Sequence, residues 1–141
     1  MSRVGKSVER LGRVDLFEGL PPDTLMKIVM LGREQAFRAG AVIVKQGDTG
    51  GGLFVIFEGE AVVTIGGNER ARLGPGDYFG EISLLDDEPR SATVTATGPV
   101  TAFSLAAFTF RPLLEEHFEV AERVILRLCQ RLRAAEQAIA P

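Results

Sequence analysis

The sequence predicts a mainly β domain with flanking α structure. The expected form is a jelly-roll-like antiparallel β-barrel with N-terminal helices, one short helix in its wall and a long C-terminal helix. Three observations carry that expectation. From Gly40 onward, short β-branched or aromatic runs alternate with Gly, Pro, Asn and Asp clusters, at about the 8–12-residue interval of an antiparallel sandwich or barrel. Glycine is over-supplied, at 16 of 141 residues, where an average chain holds about 7%. No helical stretch long enough for a crossover lies between the strands, which argues against a doubly wound parallel sheet. At this length the chain reads as one domain, residues 1–141, able to bury a core without disulfides or metals.

The elements follow in order. Arg3 to Val14 reads as a short polar helix, with Leu16-Phe17 as the apolar pair that docks it. Pro21-Pro22-Asp23 has the features of a helix start, a proline and an acid at the electropositive end. Leu25, Ile28, Val29 and Leu31-Gly32 continue it as an apolar stripe stopped by glycine. These make an N-terminal helical segment, residues 1–34. The barrel, residues 35–104, is assembled from Val42-Ile43-Val44, Leu53 to Phe57, Ala61 to Ile65, Ala71 to Leu73, Thr93 to Ala96 and Val100 to Phe103. Residues 105–141 return to helix, first Phe108 to Leu114 and then Phe118 to Ala140. In the last helix Ala121, Ile125, Leu128, Leu132, Ala135 and Ile139 are spaced 4, 3, 4, 3, 4, a single apolar seam. The seam is expected to pack on the chain's own barrel; pairing with a second copy or an effector protein is the alternative.

Composition narrows the function classes. The formal charge of −3 and pI of about 5.2 disfavour a non-specific nucleic-acid or membrane-surface binder. One cysteine, Cys129, allows no internal disulfide and fits a cytoplasmic setting. Cys129 is expected to be a small buried hydrophobe. One histidine, His117, excludes zinc sites built from several His and Cys ligands, so no metal is expected; His117 itself reads as a helix-end surface residue. The longest apolar run, Leu53 to Phe57, is far short of the roughly 18 residues of a membrane span, and Met1 to Arg10 has no secretory h-region.

One stretch, residues 79–94, breaks the strand pattern: Phe79-Gly80-Glu81-Ile82-Ser83-Leu84-Leu85-Asp86-Asp87-Glu88-Pro89-Arg90-Ser91-Ala92-Thr93-Val94. Gly80 lacks a Cβ, so backbone can approach a ligand there. Glu81 to Leu85 have the composition of one helical turn, whose free N–H groups suit a phosphate. Arg90 follows ten positions after Gly80 and can grip two phosphate oxygens. Glu81 is an acceptor of the kind that holds sugar hydroxyls. Asp86-Asp87-Glu88 read as a solvated tip. From these residue types the segment is a cradle for a phosphate and a ribose in a barrel wall.

The stretch closely resembles the phosphate-binding cassette of the cyclic nucleotide-binding domain family, Phe-Gly-Glu-(Leu/Ile)-(Ala/Ser)-Leu, a spacer, then Pro-Arg-(Ala/Ser/Thr)-Ala-Thr-Val. Every specified position is met. The resemblance implies a ligand-binding role without catalysis. Amides around Gly80, Ile82 and Ser83 would face the cyclic phosphate, Glu81 the ribose 2′-hydroxyl, Arg90 the phosphate charge, and Ser91 a further contact. Ser91 in place of threonine implies cAMP more than cGMP. Val63 and Leu73 match positions that line the base, and Arg133 is the candidate for the residue that caps it from the final helix. Three other readings stay beside this one. A barrel with a non-functional pocket, Arg90 pairing with Glu81, would serve protein contacts alone. An excerpt of a transcription factor would need a helix-turn-helix, for which there is no room before Pro141. A cupin-like metal enzyme would need more histidines.

Overall fold

The computed structural model describes residues 2–86 and 88–139. Helix α1 (Arg3–Gly12) is capped by the Ser2 hydroxyl, which accepts the Gly5 N–H at 3.0 Å. A 3-10 turn (Asp15–Phe17) buries Leu16 and Phe17, and α2 (Pro22–Leu31) starts on proline, whose missing N–H costs nothing in a first turn. The strands are β1 (Arg33–Phe37), β2 (Val42–Val44), β3 (Gly52–Glu58), β4 (Ala61–Ile65), β5 (Asn68–Leu73), β6 (Tyr78–Phe79), β7 (Thr93–Ala96) and β8 (Val100–Ala106). Helix α3 (Ser83–Asp86) stands between β6 and β7, and α4 (Ala107–Glu116) and α5 (Phe118–Ile139) complete the described chain.

The strands form two antiparallel four-stranded sheets, ordered β1-β8-β3-β6 and β2-β7-β4-β5. The expected jelly-roll class, mainly β with helices at both ends, is the observed one. Two strands escaped the sequence reading. Arg-Glu-Gln-Ala-Phe of β1 carries no β-branched residue and begins two positions inside the expected helical segment; it is an edge strand held by β8 alone. The two residues of β6 are a strand only because they pair with Phe54 and Val55.

Strand β3 explains its own uninterrupted apolar run. Leu53, Val55 and Phe57 project into a core with Leu16, Phe17, Ile28, Phe103 and Phe110, while Ile56 points the other way, onto Ala61 and Val94. One sheet is thus covered by helices on its outer face and by the second sheet on its inner face. A strand buried on both faces has no polar alternation to show. Each such side chain contributes about 1.5–3 kcal/mol of burial, so the helices are part of the core and not appendages.

The last helix departs from expectation. Its buried residues are Val120 and Val124. The seam of Ala121, Ile125, Leu128, Leu132, Ala135 and Ile139 lies about one residue around the helix, and of it only Leu128 packs on the core. Leu132 is 61% and Ile139 84% exposed. The face that meets the barrel is Val120, Val124, Arg127, Arg131, again at 4, 3, 4 spacing but ending in arginines. Cys129 is exposed, not buried, because it falls off this face. His117 is the C-cap of α4, between Lys27 Nζ at 3.2 Å and Glu119 at 3.3 Å.

Candidate functional site

A cavity of about 530 Å³ opens where β4, β5, β6, the α3 segment and α5 meet. That lies within the roughly 300–1,000 Å³ range of small-ligand sites. Of the residues expected at a site, Gly80, Glu81, Ile82, Ser83, Arg90, Ser91, Val63 and Leu73 all line it. Residues separated by up to 28 positions in sequence, from Val63 to Ser91, are therefore brought to one concavity.

Gly80 sits at φ +90°, a conformation that L side chains rarely adopt. A Cβ there would stand 2.2 Å from the Gly52 carbonyl oxygen and 2.6 Å from Arg90 Nη1. The chain crosses directly beneath the arginine. Helix α3 is one turn, and it begins at Ser83 rather than Glu81: Leu85 N–H donates to the Ile82 carbonyl at 2.9 Å. The N–H groups before that point have no acceptor within the helical turn.

Arg90 is anchored at both ends. Its backbone N–H donates to the Asp48 carbonyl at 2.8 Å, and its carbonyl accepts from Gly47 N–H at 2.9 Å. Its Nη1 donates to the Gly52 carbonyl at 3.0 Å and lies 3.5 Å from Ser83 Oγ. Half-burial lowers its pKa from the ordinary value by desolvation, yet a guanidinium stays charged throughout the accessible range. Among the described residues, the partners of its guanidinium are the neutral oxygens of Gly52 and Ser83. A desolvated cation held by neutral oxygens is arranged to receive an anion.

Glu81 does not pair with Arg90. It is 1% exposed, and its carboxylate forms an ion pair with Arg131 of α5. Arg133, the expected cap, is exposed and does not line the cavity. Arg131 and Arg127 do. Two residues on a helix are about 200° apart, so Arg131 faces the barrel where Arg133 turns away. Asp86 and Glu88 are exposed, with Asp86 Oδ1 accepting the Glu88 N–H at 3.1 Å, as a solvated tip requires. Asp87 lies outside the described residues.

Several lining residues were not read from sequence. Arg70 is the extra residue of a β-bulge: Val63 faces Ala71 and Thr64 faces Glu69, leaving Arg70 unpaired in the ladder and turned to the cavity. Asp15 and Tyr78 also line it, with the Arg127 guanidinium 5.8 Å from the Tyr78 ring centre. The 4, 3, 4 spacing of Val120, Val124, Arg127 and Arg131 was available as a signal, but a search for apolar periodicity skips arginines.

Tyr78 supplies a pH prediction. Burial first, and the Asp15 carboxylate second, push its hydroxyl up to about 12 from 10.0. The folded state therefore disfavours tyrosinate. Its stabilising contribution is complete below pH 10 and is lost as pH rises through about 12. Tyr78 is the only tyrosine, so near-ultraviolet tyrosinate absorbance reads it directly. The native midpoint is expected near 12 and the urea-unfolded one near 10. Coincident midpoints would show that the hydroxyl is solvated. Tyr78→Phe should also flatten the loss of stability between those two pH values.

Residues 34–117 match the family model described as cyclic nucleotide-binding domain. A cyclic nucleotide-gated potassium channel of Mesorhizobium japonicum is 38% identical over 125 residues, 89% of this chain and 35% of the channel. A cGMP-dependent protein kinase of Toxoplasma gondii is 43% identical over 91 residues, 64% of this chain and 9% of the kinase. The chain thus spans about a third or less of these relatives. Among solved structures, the catabolite activator protein of Thermus thermophilus superimposes with a TM-score of 0.80 at 32% identity, over 89% of this chain and 61% of that one. The regulatory domain of Toxoplasma gondii PKA, crystallised with cAMP, gives 0.79 at 28% identity, over 91% and 50%. Among the described residues no helix is long and apolar enough to cross a membrane.

Proposed function

The chain belongs to the cyclic nucleotide-binding domain family, and from that premise we propose that it is a regulatory sensor that binds one cyclic nucleotide, cAMP in preference to cGMP, and relays occupancy through its C-terminal helix. The observation that carries this is Arg90, a half-buried guanidinium fixed by the Gly52 carbonyl above the glycine turn at Gly80. It would neutralise the cyclic phosphate, with amides at Gly80, Ile82 and Ser83 beside it. Glu81 would accept the ribose 2′-hydroxyl, and Val63 and Leu73 would line the base. Ser91 supports cAMP. The cAMP in the PKA structure supports it as well, whereas the cGMP-dependent kinase supports cGMP as the second ligand.

The reading includes a cytoplasmic setting and no catalysis, nucleic-acid contact or membrane contact by this chain itself. The exposed seam at Ile125, Leu132 and Ile139 supports a second copy or an effector on the outer face of α5. A ligand can move α5 only by binding its two positions unequally.

Thermal-shift titration with both nucleotides tests the proposal. Binding to the folded state alone stabilises it by about 2.7 kcal/mol at a hundredfold excess over Kd. For a chain of this size that is a rise of roughly 5–10 °C. The expected result is a shift with each, at lower concentration for cAMP. No shift from either at millimolar ligand would favour the protein-contact barrel instead.

A further inference from the structure

Strand β5 turns an unpaired cation to the cavity. Thr64 faces Glu69 and Val63 faces Ala71, so Arg70 between them has no opposite number on β4. The bulge sorts the charges of the strand. Arg72 and Glu69 meet in an ion pair at 2.8 Å, both side chains exposed, and neither lines the cavity. Arg70 does line it, with no ion-pair partner among the described residues. Beside it Val63, Ile65, Ala71 and Leu73 make an apolar strip of wall, and Ile65 at its end is 38% exposed. The helical side offers no such free group. Of the α5 residues that line the cavity, Arg131 is engaged with Glu81, and Arg127 stands over the Tyr78 ring at 5.8 Å.

We propose that Arg70 covers the outer face of the nucleotide's base, its guanidinium laid flat on the purine. The inference rests on the assignment of the base to Val63 and Leu73 in the functional reading above. A base on that strip is sheltered on one side, and its other side would stay in water at the cavity mouth. Guanidinium planes stack on bases, and a long side chain rooted next to the strip can fold over it. Adenine favours the face over the edge. Its edge shows one acceptor, N7, beside an amino donor, so a two-pronged fork that suits guanine O6 and N7 finds a single partner there. The face is the same invitation on either purine. The cover is thus supplied by the barrel, and it holds the base without choosing between adenine and guanine.

The sequence contains no tryptophan, which makes the test direct. Arg70→Ala should weaken cAMP and cGMP alike, about tenfold, within the range for removing one stacking partner from a base. Arg70→Trp keeps a flat ring and discards the charge. It should bind within about threefold of wild type, since an aromatic ring stacks on a base as well. Its indole fluorescence should be quenched as cAMP saturates the site. Arg72→Trp is the control on the outer face, unquenched and with wild-type affinity. Arg70 and Arg72 are both exposed, so the fold is expected to survive each change.

Calorimetry of wild type and variants with both nucleotides, and fluorescence titration of the two tryptophan variants, decide it. Unchanged affinity in Arg70→Ala, or an indole in Arg70→Trp that cAMP leaves unquenched, overturns the cover. A loss confined to cGMP also overturns it, because that is the signature of edge reading. A wild type that binds neither nucleotide defeats the functional reading, and the cover with it. A wild type that binds, together with any of the three adverse results, defeats the cover alone.

Discussion

Arg90→Ala is expected to cut cyclic nucleotide affinity by roughly 30- to 5,000-fold, the 2–5 kcal/mol typical of truncating one partner of a buried charge pair. The size follows from what surrounds it. Arg90 is already half desolvated and is held by the Gly52 carbonyl, with Ser83 Oγ beside it. Little reorganisation is left to be done when an anion arrives, so most of the interaction appears as affinity. Without the guanidinium, a phosphate would sit in the same dry corner opposed only by amide dipoles. Calorimetry at fixed ionic strength measures the loss. Arg90→Lys separates charge from fork geometry, and should recover part of the affinity but not all. Unfolding by urea run alongside detects any loss of fold from the missing bond to Gly52. A folded Arg90→Ala protein that binds as tightly as wild type would remove the basis of the assignment.

Gly80→Ala is the second large effect, and it acts on stability and binding together. The new methyl would meet the Gly52 oxygen at 2.2 Å and Arg90 Nη1 at 2.6 Å, on backbone at φ +90°. The Gly52 oxygen is also the acceptor that orients Arg90, so relief of the clash must move the anchor of the phosphate site. A destabilisation of about 2–4 kcal/mol is expected, from strain plus a contact that backbone cannot easily relax, with nucleotide affinity down at least tenfold. Gly67→Ala is the matched control. It has φ +83° and nothing within 4 Å, so it should cost about 1–2 kcal/mol of backbone strain and leave affinity alone. Equal urea midpoints for the two variants would mean that the crossing at Gly80 is looser than the structure has it.

Much of the fold was legible because its signals are local. Turn residues punctuate β-branched runs, and each of the strands expected between Val42 and Phe103 has a counterpart in the two sheets. The strands that escaped, β1 and β6, exist by virtue of their partners, β8 and β3. Residue types in the 79–94 segment pointed to a phosphate and a sugar before any geometry was known, since a glycine turn, a carboxylate and a late arginine have few joint uses. Arg133, expected over the pocket, stands off the cavity that Arg131 lines, for a definite reason. An apolar seam was sought, whereas the barrel-facing stripe of α5 changes from valine to arginine as it passes over the cavity.

By itself, then, the sequence determined the class of the fold, the order of its elements and the composition of the cradle, because propensity, turn chemistry and charge act between near neighbours. Only the tertiary structure decided which arginine meets Glu81, that Arg90 is held by the Gly52 carbonyl, and that a bulge turns Arg70 inward. Those outcomes depend on helix azimuth, on strand register and on contacts across as many as 50 positions of chain between Glu81 and Arg131. A one-residue rotation of a helix swings a side chain by about 100°, and nothing in a local pattern fixes that angle until the core on the other face has been packed.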